Sequence, residues 1–291
     1  MTHLWENTLT RILRDSQWLR HTKDGGRGLP VDVLQLLAGE AEILCGDALF
    51  SSNSRFFVIE LKSSEFDISS EWLTTSGAPK AMFSYLRKVV SRVPTDVANS
   101  KPSRREKRDA ELIELSLRGH HFFYVDPAKA GISRINGWVE PYLLATARKS
   151  AGVSSALAMP ALPRMHRLAW TDEGSQDTFI RVPLNPLMDR DGHVIVDTSR
   201  NQDFKEAKSI GTLGLSMTEL NAYLRYLSLA DDAGGEEIRS VVMDDSGNLF
   251  GLVWKLSGFN AIRKFIEGRS LDMAGATPVV PSAGSVKILK S

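Results

Sequence analysis

The sequence predicts an α/β protein in which a sheet is flanked by helices, with a C-terminal α+β region after it. Three observations carry that expectation. Residues 4–19 place Trp5, Leu9, Ile12 and Leu13 at helical spacing with charges opposite. The apolar runs 41–50 and 55–63 flank the polar turn Ser51-Ser52-Asn53-Ser54, as the strands of a hairpin do. Beyond them, helical apolar stripes and short apolar runs follow one another. A chain of 291 residues can bury one large core or two ordinary ones.

Taken in order, the first helix ends before the loop Asp24-Gly25-Gly26 to Gly28-Leu29-Pro30, and 31–37 reads as a short helical piece ending near Gly39. The hairpin comes next. Pro79 fits the first position of a helix capped by Ser76, and Met82, Phe83, Leu86, Val89, Val90 and Val93 give that helix one apolar face. A second helix is expected over 105–118 with Gly119 as its stop, then strands over 120–126 and 137–144. Small residues and Pro160 and Pro163 mark 148–166 as a linker, so 1–147 and 167–270 are expected to be separate domains. In the second, 179–183 and 193–196 suggest a hairpin around Asp191-Gly192, and 238–243 and 249–256 another. Ser216-x-x-Glu219 fits a capping box before a helix through Leu220, Leu224 and Leu227. Asn260 is placed to cap a last helix ending at Gly268, and 271–291 reads as a mobile tail.

Composition excludes several classes. With 36 Lys+Arg against 35 Asp+Glu, the chain lacks the strong overall basicity of the simplest nucleic-acid binders. A single cysteine, Cys45 in an apolar run, rules out an internal disulfide and reads as a small buried hydrophobe. No apolar stretch approaches the ~18 residues that span a bilayer, and the N-terminus has no apolar signal-peptide core. A cytoplasmic protein without membrane partners is the expectation.

The chemistry concentrates at Gly46-Asp47 and, twelve residues on, Glu60-Leu61-Lys62. On a strand Glu60 and Lys62 share a face with Phe56 and Val58, while Phe57, Ile59 and Leu61 line the other. So apolar a strand is half-buried or more, and its charges need partners. Asp47, near the end of the preceding strand of the hairpin, is placed to come alongside. Two hard carboxylates suit Mg2+ or Mn2+, which keep several waters. Such an ion lowers the pKa of bound water and neutralises charge on a phosphate. Lys62 is placed to position that water or to stabilise developing charge. The bland alternative is a salt-bridged strand end.

Asp47 followed by Glu60-x-Lys62 resembles the PD-(D/E)xK signature of the restriction-endonuclease-like nuclease superfamily, and the order helix, hairpin, helix, strand over 1–145 fits it. The resemblance implies a restriction-endonuclease-like mixed sheet flanked by helices and metal-dependent cleavage of nucleic acid, DNA ahead of RNA, in defence against foreign DNA or in repair. It implies Asp47 and Glu60 as metal ligands and Lys62 as catalytic lysine, with a further Glu from the first helix. Glu6 is the acidic residue early in that helix, with Glu40 and Glu42 competing. Gly46 departs from the pattern, standing where the proline would be. The alternative reading keeps the fold but makes the chain a non-catalytic nucleic-acid-binding or assembly subunit, alone, as a homo-oligomer or with a protein partner.

Weaker signals surround this centre. Lys80, at the start of the next helix, is a candidate for a site residue or a solvated helix start, and Glu71 lies in a stretch of uncertain structure. Lys101, Arg104, Arg105, Lys107 and Arg108 form the densest basic run, suited to phosphates or to a plain solvated face. His120-His121 cannot easily bind one ion, because neighbours on a strand face opposite ways. Asp189-x-Asp191-Gly192 has the start of a calcium loop without its later ligands, so a turn is expected.

Overall fold

The computed structural model describes residues 2–23, 34–36, 46–52, 55–75, 77–93, 102–126, 136–172, 175–189, 193–199, 208–228, 237–243 and 249–255. It is a mixed α/β fold. Helix α1 (Thr2–Lys23) buries Leu9 and Leu13, and its Gln17 amide donates to the Ser51 carbonyl at 2.9 Å. Strands β1 (Leu34–Leu36), β2 (Ala48–Ser52) and β3 (Arg55–Leu61) pair antiparallel in turn. Every side chain of β2, and every one of β3 after Arg55, is buried, as expected of strands covered on both faces.

A 3-10 helix (Glu65–Glu71), then α2 (Ala81–Arg92) and α3 (Arg104–Gly119), form the crossover that a parallel partner requires. Ser103 and Glu106 cap α3 reciprocally. Strand β4 (His120–Val125) then lies parallel to β3, with Glu60 opposite Phe122. Strand β5 (Gly137–Pro141) returns antiparallel and runs into α4 (Tyr142–Lys149). Tyr142 stacks on Phe122 and His120, with ring centroids 4.8 and 4.4 Å apart, which covers the Glu60 face of the sheet.

The remaining elements are β6 (His166–Asp172), β7 (Ser175–Phe179), β8 (Val182–Pro183), α5 (Leu184–Asp189), β9 (His193–Asp197), β10 (Lys208–Thr212), α6 (Met217–Ser228), β11 (Glu237–Met243) and β12 (Leu249–Lys255). Six strands make the central sheet in the order β1-β2-β3-β4-β5-β8, and β10-β9-β6-β7 make a second, antiparallel one. Strands β11 and β12 form the hairpin expected near the C-terminus.

The expected division into two cores gives way here. Strand β8 pairs with β5, Leu215 exchanges backbone hydrogen bonds with Phe56, and the Gly214 amide donates to the Arg118 carbonyl at 2.7 Å. Gly214 has φ +75°, and a Cβ there would meet Arg55 at 2.6 Å and Phe57 at 2.8 Å, so the close crossing depends on its bare backbone. The Ser216–Glu219 capping box forms, and the Glu219 carboxylate also takes Arg118 at 2.7 Å. Leu168, Ile195, Leu220 and Tyr223 join Phe57, Phe83 and Phe122 in one buried cluster. The expected linker at 148–166 follows the end of α4 as turns fastened to α2: Arg87 donates to the carbonyls of Ala158 and Ser155, each at 2.8 Å, and Met159 is buried.

Local expectations shift as well. Leu34–Leu36, read as helical, is the sheet-edge strand β1, because it has β2 to pair with. Strand β2 runs through Ser51 and Ser52, read as turn. From Tyr142 the chain is helical rather than extended, burying Leu143, Ala145 and Thr146 on one side. Lys80, not Ser76, is the cap of α2. The hairpin expected around Asp191-Gly192 is replaced by β7 on β6, β8 on β5 and β9 on β6, with α5 between β8 and β9. Asp191, Gly192, Asn53, Ser54, Ser76, the last helix from Asn260 and the tail lie outside the described residues. No described helix is long and apolar enough to cross a membrane.

His120 and His121 are both fully buried, on opposite faces: His120 pairs with the Tyr223 hydroxyl at 2.8 Å, and His121 packs against Phe57 at 5.4 Å between ring centroids. Burial lowers their pKa values to about 4 and about 3, and that of His166 to about 4. An unfolded chain binds these protons first as pH falls, so each group subtracts stability below pH ~6.5, by about 1.4 kcal/mol per pH unit until its own pKa is reached. Urea unfolding at pH 7 and pH 5 should therefore show wild type losing more stability than His121→Phe; equal losses would exclude His121 from the acid sensitivity.

Candidate metal-dependent active site

The site begins with the alternation of β3, which puts Glu60 and then Lys62 on the sheet face that the crossover covers. Both are buried, at 4% and 7% exposure. Asp47 precedes β2. Its amide donates to the Ile59 carbonyl at 2.9 Å and its Oδ2 accepts from the Leu61 amide, so the carboxyl is clamped across the end of β3. Gly46 makes that clamp possible. Its φ is +104°, where proline, fixed near about −65°, cannot go. A Cβ at Gly46 would stand 3.1 Å from the Ile59 carbonyl oxygen and 3.2 Å from Glu60 Oε2. The departure from the PD pattern is thus matched to this backbone.

Two further groups close the centre from the crossover. The 3-10 helix buries Ile68, Glu71 and Trp72 along one side. Past it, the chain reverses at Gly77 (φ +77°), whose amide donates to Thr74, and the Lys80 amide then bonds the Glu71 carbonyl at 2.9 Å. Lys80 is thereby returned to Glu71. Lys62 Nζ lies 2.7 Å from Glu71 Oε1, 3.1 Å from Glu60 Oε1 and 3.1 Å from Ser70 Oγ. Lys80 Nζ contacts Glu60 Oε1 and lies 3.0 Å from Glu71 Oε1. The Tyr142 hydroxyl donates to Glu71 Oε2 at 2.7 Å. Both lysines meet Glu60 through Oε1, while Oε2 faces Gly46 beside Asp47.

The electrostatics follow from burial and charge. Burial alone would raise the Glu60 carboxyl, but Lys62 and Lys80 overcome it and hold the group down at about 2. Burial and the negative charge of Glu60 push Asp47 up to about 8, against the Leu61 amide and the lysines. Glu71 is raised by burial and then by Glu60. Burial disfavours both ammonium charges, yet Glu60 and Glu71 raise the pKa of Lys62 and of Lys80. The two cations thus favour the ionised form of Glu60, while burial beside Glu60 favours the protonated form of Asp47.

Of the residues singled out in the sequence, Asp47, Glu60, Lys62 and Lys80 come together. Arg104, Arg105, Lys107 and Arg108 are exposed on the first turns of α3. Arg92 at the far end of α2 bonds Asp109 there at 2.7 Å, so the basic turns and Lys80 stand about 18 Å apart, one α2 length. Lys101, Glu40, Glu42, Cys45 and the side chain of Glu6 lie outside what is described. Glu71, Ser70 and Tyr142 complete the cluster without having been chosen. Glu71 had one readable signal, a carboxylate in line with Ile68 and Trp72 on a helical stripe.

A separate network fastens the 3-10 helix: Arg148 bridges Glu65 at 2.7 Å and the buried Glu140 at 2.8 Å, and Arg181 reaches Glu65 at 3.4 Å.

No group of three or more His, Cys, Asp or Glu suited to a metal gathers among the described residues. The donor set is instead two carboxylates, Asp47 and Glu60, which fits an ion that keeps most of its waters. Comparison with protein-family models, curated proteins and solved structures found no match.

Two outcomes are expected. Because Asp47 must lose its proton to become a ligand, Mn2+ binding should release a proton at pH 7, and affinity should rise roughly tenfold per pH unit up to about 8. Calorimetry in buffers of different ionisation enthalpy reads both; pH-independent affinity would remove Asp47 from the ligand set. Gly46→Pro should lose stability on the order of 1–3 kcal/mol in chemical denaturation.

Proposed function

We propose that the chain is a metal-dependent nuclease that hydrolyses phosphodiester bonds, built on a restriction-endonuclease-like sheet. The observation that carries this reading is the convergence of Asp47, Glu60 and Lys62 at the end of β3, beside a parallel β4 and beneath a helical crossover. Asp47 and Glu60 would hold Mg2+ or Mn2+. When bound, such an ion would lower the pKa of a coordinated water and offset charge on the phosphate. The protein's part is to fix the carboxylates. The Leu61 amide orients Asp47, the lysines keep Glu60 ionised, and the apolar sheet face excludes bulk water from behind. The exposed Arg104, Arg105, Lys107 and Arg108 are suited to holding the nucleic-acid backbone away from the cut.

A second reading, a non-catalytic nucleic-acid-binding subunit on the same fold, is favoured by one observation: Glu60 Oε1 is already shared by two ammonium groups.

The test compares wild type, Asp47→Asn and Glu60→Gln on DNA and on RNA with Mg2+ or Mn2+, and measures binding in EDTA. Wild type should cleave, DNA ahead of RNA. Both variants should lose cleavage yet bind with affinity within about twofold of wild type, since Lys and Arg contacts dominate affinity. Binding without cleavage by wild type under every metal would favour the subunit reading.

A further inference from the structure

We propose that Lys80, rather than Lys62, is the lysine that meets the substrate phosphate, and that Lys62 is a buried brace. The inference rests on the hydrolytic reading above and assigns its charge-stabilising group.

The two ammonium groups share Glu60 and Glu71, but their surroundings differ. Lys62 has three protein oxygens within 3.1 Å, on Glu71, Glu60 and Ser70, as many as an ammonium has N–H groups. Its Nζ also lies 5.9 Å from the Phe122 ring centroid, and its own amide is tied to the Phe123 carbonyl at 3.0 Å. Its side chain is 8% exposed. To reach a phosphate, Lys62 would have to abandon a buried carboxylate, which is costly in a low-dielectric site. Lys80 touches the same two carboxylates and no other oxygen among the described contacts, so its remaining N–H is open, and its side chain is 38% exposed. It offers a free donor on the solvent side of Glu60.

In the reaction, the water oxygen adds to phosphorus and the bond to one ester oxygen breaks. That oxygen gains a proton and the water loses one. Lys80 stays protonated throughout and neutralises charge on a non-bridging oxygen, while Lys62 holds Glu60 and Glu71 in place.

Salt-dependent binding in EDTA separates the two lysines without requiring catalysis. The slope of log Kobs against log[salt] should become shallower by about 1 in Lys80→Ala and return in Lys80→Arg. It should be unchanged in Lys62→Gln, which keeps a donor should Lys62→Ala not fold. Melting temperature should fall on the order of 5–10 °C in Lys62→Ala and by less in Lys80→Ala. With metal, Lys80→Ala should lose on the order of 10²–10³ in kcat, more than any change in KM. A Lys80→Ala protein with wild-type slope and kcat, beside a folded Lys62→Gln that loses both, would overturn the assignment. If wild type binds but never cleaves, the hydrolytic reading falls and the slopes still decide which lysine meets the phosphate. If wild type binds no nucleic acid, both fall.

Discussion

A buried carboxylate on an apolar strand persists only where cations reach it, and Glu60 is such a group. Much of the local architecture follows from that demand. Lys62 comes from the same strand two residues on, but a second buried carboxylate, Glu71, shares it. The second cation arrives on Lys80 because the turn at Gly77 folds the chain back until the Lys80 amide bonds Glu71. Glu71 then balances the two lysines, and Tyr142 completes Glu71 from the far side of β4. The result is a chain of opposite charges in which each member satisfies its neighbours. A network of this kind tolerates replacement of the whole better than removal of one part.

The support of this centre reaches far along the sequence. Tyr142 stacks on His120 and Phe122, and His120 in turn bonds Tyr223 on α6. Glu65 is held by Arg148 and Arg181, which fixes the start of the 3-10 helix that carries Ser70 and Glu71. The close approach of Gly214 to Phe57 locks α6 against β3.

Those long-range ties explain which features could be read from residue order alone. Alternation in β3, the spacing of Asp47 from Glu60 and Lys62, and the apolar stripe of α2 are local patterns, and each lies in the structure where the pattern put it. The second capping box, Ser216 with Glu219, was equally local. Tyr142 was not legible, because its role arises from a contact across more than seventy residues, and the stripe that carries Glu71 does not show that its partners lie nine residues away on either side. Pairing partners were hidden for the same reason. Val182–Pro183 is a short extended piece whose partner, β5, lies some forty residues earlier, so an adjacent hairpin was the natural but mistaken inference. Small residues and prolines at 148–166 signalled a break in regular structure correctly. They did not reveal that Arg87 would pin that segment to α2.

The exchange of backbone hydrogen bonds between Phe56 and Leu215 has a consequence for the order in which the protein is made. Synthesis runs from the N-terminus and folding proceeds as residues emerge. Every acidic and basic group of the centre has been synthesised by Lys80, yet Tyr142, Arg181, Leu215 and Tyr223 follow much later. The nascent chain therefore carries these charged groups for about half of synthesis without the packing that aligns them. Completion of the centre is deferred until α6 has been translated, so an unfinished polypeptide has the ingredients of the site and not its geometry.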